Sequence, residues 1–249
     1  MATAPLSETW FEPWHVILIV SKRRKGKSTL ATVFASYFEN QRIVFMDVKR
    51  RYAMAGADYV AHGVDELYAA PATAWRIHFI PAAIATVHNK DAVDLEWSGV
   101  FDWCNQQTDL TVLLDECVPM PAPATGAPGS GVHYIAQKAV DRCGMIACTG
   151  RWRGLMMELK AHSDVIILFP GGLSVDELEE AAKEMGLGHI DEGTNRKVKP
   201  LDELRALLKQ AEELGPYACV MWLRNEDRFV IFELDASLVD RAIAVEVAP

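Results

Sequence analysis

The sequence holds no apolar run approaching the roughly 20 residues needed to cross a bilayer, which argues against an integral membrane protein. Its first stretch, MATAPLSETWFEPW, has neither the basic start nor the apolar core of a secretory signal. Cysteine is scarce and unpatterned. Cys104, Cys117, Cys143, Cys148 and Cys219 form no C-x-x-C pair, and their odd number argues against a disulfide framework. Their spacings do not suit zinc, so they read as buried thiols of a reducing cytosol. A surplus of positive charge is also missing. At a net charge of −9 the chain does not coat nucleic acid with its whole surface, although a local basic track stays compatible with DNA. Internal repeats are absent, and the proline- and glycine-rich stretch 119–131 reads as a loop.

What is present is an ordinary globular balance. Of 249 residues, 50% are hydrophobic and 24% charged, enough for one large α/β domain. The most informative segment is Ser21-Lys22-Arg23-Arg24-Lys25-Gly26-Lys27-Ser28-Thr29. It fits the phosphate-binding loop G-x-x-x-x-G-K-[ST], with serine in place of the first glycine. The chemistry behind that pattern is specific. Backbone N–H groups of a tight loop wrap a β-phosphate, and the next helix points its positive end at the same anion. Lys27 reaches the β- and γ-phosphates, the Ser28 hydroxyl takes one Mg²⁺ position, and Gly26 keeps a Cβ away from the phosphates. A basic surface turn would also contain such a string, but its flanks decide otherwise. Residues 15–20 (HVILIV) read as a strand buried on both faces, and residues 29–40 (TLATVFASYFEN) as a helix.

Further strands are expected at residues 42–47 (RIVFMD), 75–81 (WRIHFIP, one face partly polar, near an edge), 110–114, 145–149 (MIACT) and 164–169 (DVIILF). Helices are expected at 91–106, 132–143 and 155–162. This alternation specifies a mostly parallel sheet with helices on both faces. Beyond residue 170 two charged helices (174–185 and 201–214) precede a hairpin over 217–234. We read a single domain over residues 1–249, with a core at about 14–170 and a C-terminal helical and hairpin extension over about 171–249.

The strand LTVLL ends in Asp115-Glu116. A carboxylate at that edge lies beside the phosphate loop, where Asp115 would hold Mg²⁺ and Glu116 would accept a proton from attacking water. A glutamate there favours hydrolysis over simple nucleotide binding. Thr149 ends the following strand, where its hydroxyl either touches the γ-phosphate or water, or closes a turn before Gly150. Arg142, Arg151 and Arg153 are candidates for a finger that stabilises phosphoryl charge across a subunit boundary, Arg142 first because it sits just before that strand, on the side a ring neighbour could face. Ordinary surface arginine is the alternative for each.

On SKRRKGKST, RIVFMDVK, RIHFIP, TVLLDE and the GRWRG junction, the chain resembles the FtsK–HerA superfamily of P-loop ATPases. Within it, the chain is most similar to genome-packaging ATPases of tailless, membrane-containing icosahedral viruses. The resemblance spans about residues 14–170 and implies an additional-strand, RecA-like P-loop NTPase fold. It implies ATP and Mg²⁺ as cofactors, with Lys27, Ser28, Asp115 and Glu116 at the site, a strand-end sensor at Thr149 and a trans-acting arginine. The family often has glutamine at the sensor, so Thr149 is a departure. Implied too are a hexameric ring, double-stranded DNA and a capsid or membrane-vertex protein as partners, and a place in the host cytoplasm or at the virion's packaging vertex. Two other readings share the phosphate loop: a filamentous-phage extrusion ATPase similar to zonula occludens toxin-like proteins, and a nucleotide-switched structural or partitioning protein. A small-molecule kinase is disfavoured by Glu116.

Overall fold

The computed structural model describes residues 11–22, 25–38, 41–48, 50, 52–54, 56–82, 90–117, 134, 142–188, 190–191, 196–234 and 244–246. The strands are β1 (Val16–Val20), β2 (Arg42–Met46), β3 (Tyr52–Met54), β4 (Tyr59–His62), β5 (Arg76–Ile80), β6 (Leu110–Leu114), β7 (Gly144–Thr149), β8 (Val165–Leu168), β9 (Ile190–Asp191), β10 (Arg196–Lys197), β11 (Ala218–Leu223), β12 (Arg228–Glu233) and β13 (Ala244–Glu246). The helices are α1 (Lys27–Tyr37), α2 (Val64–Tyr68), α3 (Lys90–Asn105), α4 (Met157–His162), α5 (Val175–Glu184) and α6 (Pro200–Leu214).

Nine strands form one sheet in the order β12-β11-β8-β1-β7-β6-β2-β5-β4. From β4 to β8 all neighbours are parallel, whereas β11 and β12 run antiparallel. Strand β1 is buried along its whole length because alternate residues serve two cores. Ile17 and Ile19 face α1 with Leu113, Ile146 and Phe45, while Val16, Leu18 and Val20 face the layer that holds Trp97, Leu159, Ala181 and Leu204. The fold class is thus α/β with a mostly parallel sheet covered on both sides, as the alternation of apolar runs requires.

Several elements depart from the sequence reading. The hairpin of β11 and β12 extends the central sheet, pairing β11 with β8 over Val220↔Leu168 to Leu223↔Val165. It thereby covers the edge that β8 would expose. Short β4 supplies the opposite edge and pairs with β5, leaving Arg76 exposed while His78 is buried. Four residues with one buried position carry too little apolar pattern to announce a strand. The expected loop at 119–131 lies outside the described residues, as does the expected helix at 132–143 apart from Tyr134, which is helical, and Arg142 and Cys143, which are not. The Tyr134 hydroxyl donates to the Gly144 carbonyl at 2.8 Å, anchoring the start of β7. None of the five cysteines forms a disulfide and all are buried, and burial pushes the thiols of Cys104, Cys148 and Cys219 well above their usual range.

Two polar devices lock the helical layer to the sheet. Arg224, after β11, donates to the Ala161 carbonyl at 2.7 Å and the Lys160 carbonyl at 2.9 Å, satisfying the end of α4. Glu177 completes a capping box with Ser174 at the start of α5. Its other oxygen accepts the backbone N–H groups of Trp152 at 3.0 Å and Arg153 at 3.1 Å, tying the loop after β7 to that helix.

Two outcomes follow for stability. A Cβ at Gly144 would lie 2.0 Å from the Pro13 carbonyl oxygen, a backbone atom that cannot swing away. Gly144→Ala is therefore expected to destabilise the fold by about 3 kcal/mol, the upper end of over-packing costs, measured by denaturant unfolding. For Glu177, burial acts to raise the carboxyl pKa, but hydrogen bonds from Ser174, Arg153 and Trp152 outweigh it and hold the pKa below its ordinary 4.5. A folded value below the unfolded one means this stabilisation is full above about pH 4.5 and drains as pH falls through the folded value. Glu177→Gln is expected to lower the melting temperature at pH 7 and to shrink its fall between pH 5 and about pH 3.

Candidate active site

The seven parallel strands all finish at one edge of the sheet, and the chemistry gathers there. β1 ends at Val20, and the Ser21 N–H donates to the Thr149 carbonyl at 3.0 Å, so the loop leaves the sheet alongside β7. Ser21 is fully buried, its φ is not positive, and its hydroxyl donates to the Lys22 carbonyl at 3.2 Å. An ordinary backbone conformation at Ser21 explains why a Cβ is tolerated where the pattern has glycine. The turn into α1 is made by Gly26 at φ 87°, a left-handed conformation. A Cβ there would sit 3.5 Å from Tyr217 Cδ1, an ordinary contact, so conformation rather than space demands this glycine. Gly172, after β8, backs the loop so closely that a Cβ would come within 3.3 Å of the Lys22 nitrogen and Ser21 Cα.

Lys27 is nearly buried and its Nζ donates to the Lys22 carbonyl at 2.9 Å, across the concave side of the loop. Beside it, Ser28 Oγ donates to Asp115 Oδ1 at 2.6 Å. This contact joins the first turn of α1 to the end of β6, although β7 lies between β1 and β6. Asp115 is buried and, like Leu113 two residues before it, points to the α1 side of the sheet. Both are hard oxygen donors, so the pair fits a small divalent cation such as Mg²⁺, which takes one or two protein oxygens and completes its shell with phosphate and water. Glu116 turns towards β7, where its Oε1 accepts the Gly150 N–H at 3.3 Å. Thr149 is buried at the end of β7, and its Oγ1 donates to the Arg151 carbonyl and accepts the Arg151 N–H, both at 3.1 Å. Of the two roles read for Thr149, the turn-closing one is made directly by these bonds.

The three arginines separate. Arg151 is exposed at the same edge as the phosphate loop. Arg153 is engaged by α5, 3.2 Å from Asp176 and 3.6 Å from Glu180. Arg142 stands before β7, at the opposite edge of the sheet, and its Nε lies 3.2 Å from Asp109. Six strand residues span about 20 Å, so Arg142 is not brought to this chain's own phosphate loop. Lys22, Lys25, Gly26, Lys27, Ser28 and Thr29 all fall in the loop and first turn of α1, whereas Arg23 and Arg24 lie outside the described residues.

One acid was legible as a strand end but not as part of this cluster. Asp47 follows β2, and the register Met46↔Leu114 sets it next to Asp115. It is buried, with His78 Nε2 3.6 Å from its Oδ2 and the His78 ring packed on Phe45. Only the pairing of β2 with β6 and β5 reveals that neighbourhood.

No family model and no curated protein sequence matches the chain. Solved structures do. The genome packaging NTPase B204 from Sulfolobus turreted icosahedral virus 2, in complex with sulfate, matches with a TM-score of 0.59 at 13% identity, over 90% of this chain and 98% of that one. Its complex with AMP gives 0.58 at 14% identity, over 88% and 97%. B204 from Sulfolobus turreted icosahedral virus, there described as the DNA-packaging ATPase, gives 0.54 at 15% identity, over 89% and 98%. The likeness of the whole chain and the geometry of its loop meet at one point: this chain has the α/β fold of P-loop NTPases, shared with B204 over nearly the whole of both chains.

Proposed function

We propose that the protein is an FtsK–HerA-type ATPase that hydrolyses ATP to move double-stranded viral DNA into a preformed capsid. The observation that carries the hydrolytic part is the 2.6 Å contact between Ser28 and Asp115, with Glu116 one residue further on against Gly150. The packaging part is supported by the fold shared with B204 over nearly the whole of both chains.

In this reading the N–H groups at the start of α1 hold the β-phosphate, and Lys27 exchanges the Lys22 carbonyl for phosphate oxygens. Mg²⁺ bound by Ser28 and Asp115 would neutralise charge on the β- and γ-phosphates. Glu116 gives up its hydrogen bond with Gly150 to orient water for in-line attack and accept its proton. Thr149 holds the turn that presents Arg151. We assign Arg151 the trans-acting role ahead of Arg142 and Arg153. It is exposed on the turn after Thr149, whereas Arg153 is engaged by Asp176 and Glu180 and Arg142 by Asp109. Such an arginine requires a ring, which we take to be a hexamer docked at the capsid's packaging vertex. Basic side chains facing the pore would grip DNA phosphates despite the acidic net charge of −9.

Steady-state ATPase assays test this directly. Double-stranded DNA is expected to stimulate turnover, and a rate indifferent to DNA would favour the nucleotide-switch reading. Lys27→Ala should abolish ATP binding. Glu116→Gln should bind ATP normally while turnover falls by about a thousandfold; unchanged turnover would remove the general-base assignment. Mixing inactive Arg151→Ala with inactive Lys27→Ala subunits is expected to restore activity, because each mixed boundary can pair an intact loop with an intact arginine. Failure of that rescue, with success for Arg142→Ala, would move the role to Arg142.

A further inference from the structure

The phosphate loop is flanked on two sides, and only one has been given a role. Towards β7 and β6 lie Glu116, Asp115 and Arg151, where the γ-phosphate must point if Ser28 and Asp115 are to share a cation with it. A triphosphate that wraps the start of α1 with its γ end towards β6 leaves its nucleoside to emerge on the opposite side, over β8 and β11. The structure places an aromatic ring there. β11 is antiparallel to β8, so its first residue, Ala218, lies at the edge where the parallel strands end, and Tyr217 precedes it. The Tyr217 carbonyl accepts from the Leu234 N–H at 3.3 Å, closing the open end of the hairpin. The ring then lies against Gly26, the residue that turns the loop into α1. Tyr217 is 48% exposed, an unusual state for a large aromatic at the mouth of a buried loop. Tyr68 and Trp75 are similarly exposed, but they stand beside β4 and β5 at the other end of the sheet. On the same side Gly171 has no atom within 4 Å of where its Cβ would be, so space remains open between the loop after β8 and the solvent.

We propose that Tyr217 is the platform of a nucleoside subsite, stacking on the base of the bound nucleotide beside Gly26. This rests on the phosphate-loop reading above and adds that the ligand is recognised at both ends. Stacking uses the π-face that every base possesses, so the subsite selects a nucleoside triphosphate over an inorganic one rather than one base over another. Leu234 is buried on the same side of Gly26, where a Cβ would lie 3.8 Å from its Cδ2.

Calorimetric titration with ATP, GTP and inorganic tripolyphosphate, each with Mg²⁺, tests the assignment. Tyr217→Ala is expected to weaken ATP and GTP by about tenfold and to leave tripolyphosphate unchanged, while Tyr217→Phe restores ATP binding. Retained ATP affinity in Tyr217→Ala would overturn the subsite. An equal loss for tripolyphosphate would overturn it too, because the tyrosine would then act by shaping the loop at Gly26. If the unaltered protein bound neither ATP nor tripolyphosphate, the phosphate-loop reading itself would fall. Circular dichroism melting of Tyr217→Ala separates these outcomes from loss of the fold, and in a variant that fails to fold Tyr217→Leu serves instead, keeping the apolar contact without the aromatic face.

Discussion

The edge that carries the candidate site depends on a gap that has to be bridged. Because β7 sits between β1 and β6, the phosphate loop and the acidic strand end are two strand spacings apart, about 9.6 Å. Neighbouring strands would bring the serine and the aspartate together almost unaided. Here the loop must lean across β7, and the bond from the Ser21 N–H to the Thr149 carbonyl directs it that way. The short hydrogen bond from Ser28 to Asp115 closes the span. The inserted strand is then more than a spacer. Its end, with Thr149 and Gly150, becomes the floor between the two halves of the site, and Glu116 is hydrogen-bonded to that floor.

The same geometry explains why backbone approaches around the loop are close. Gly26 supplies a left-handed turn, and Gly172 allows the loop after β8 to lie directly against Ser21 and Lys22. The phosphate loop is thus braced from behind by backbone, and its unusual serine sits in an ordinary conformation within that brace. Stability and function share these contacts. Loosening the brace would release the loop from the edge where its partners wait.

Much of this was legible because it is local. The loop motif, the apolar run before it and the helix pattern after it lie within about two dozen residues, and Asp115-Glu116 closes a run of five apolar or β-branched residues. Alternation of strands and helices identified the layered fold, and the charged pattern over 174–185 announced a helix that the structure contains. What escaped was long-range. A period-two pattern marks β11 and β12 as a hairpin but says nothing of β8 as its neighbour. Asp47 beside Asp115 and Tyr217 against Gly26 are products of strand order, and no spacing in the chain encodes them. Arg142 shows the converse. It directly precedes β7 in sequence, yet the direction of β7 sets it at the edge opposite this chain's own phosphate loop, where only a neighbouring subunit's site is within its reach.

The carboxylate of Glu177 has a mechanical consequence. One oxygen is bonded to Ser174 at the head of α5, and the other holds two successive peptide N–H groups just past Thr149. The side chain acts as a strut that has no slack, since both of its ends are hydrogen-bonded to backbone. Any displacement of the segment after β7 therefore travels to the head of α5, and through the α5–α6 packing around Ala181 and Leu204 towards β11. The strand-end edge and the helical layer behind the sheet are thereby joined through a single side chain.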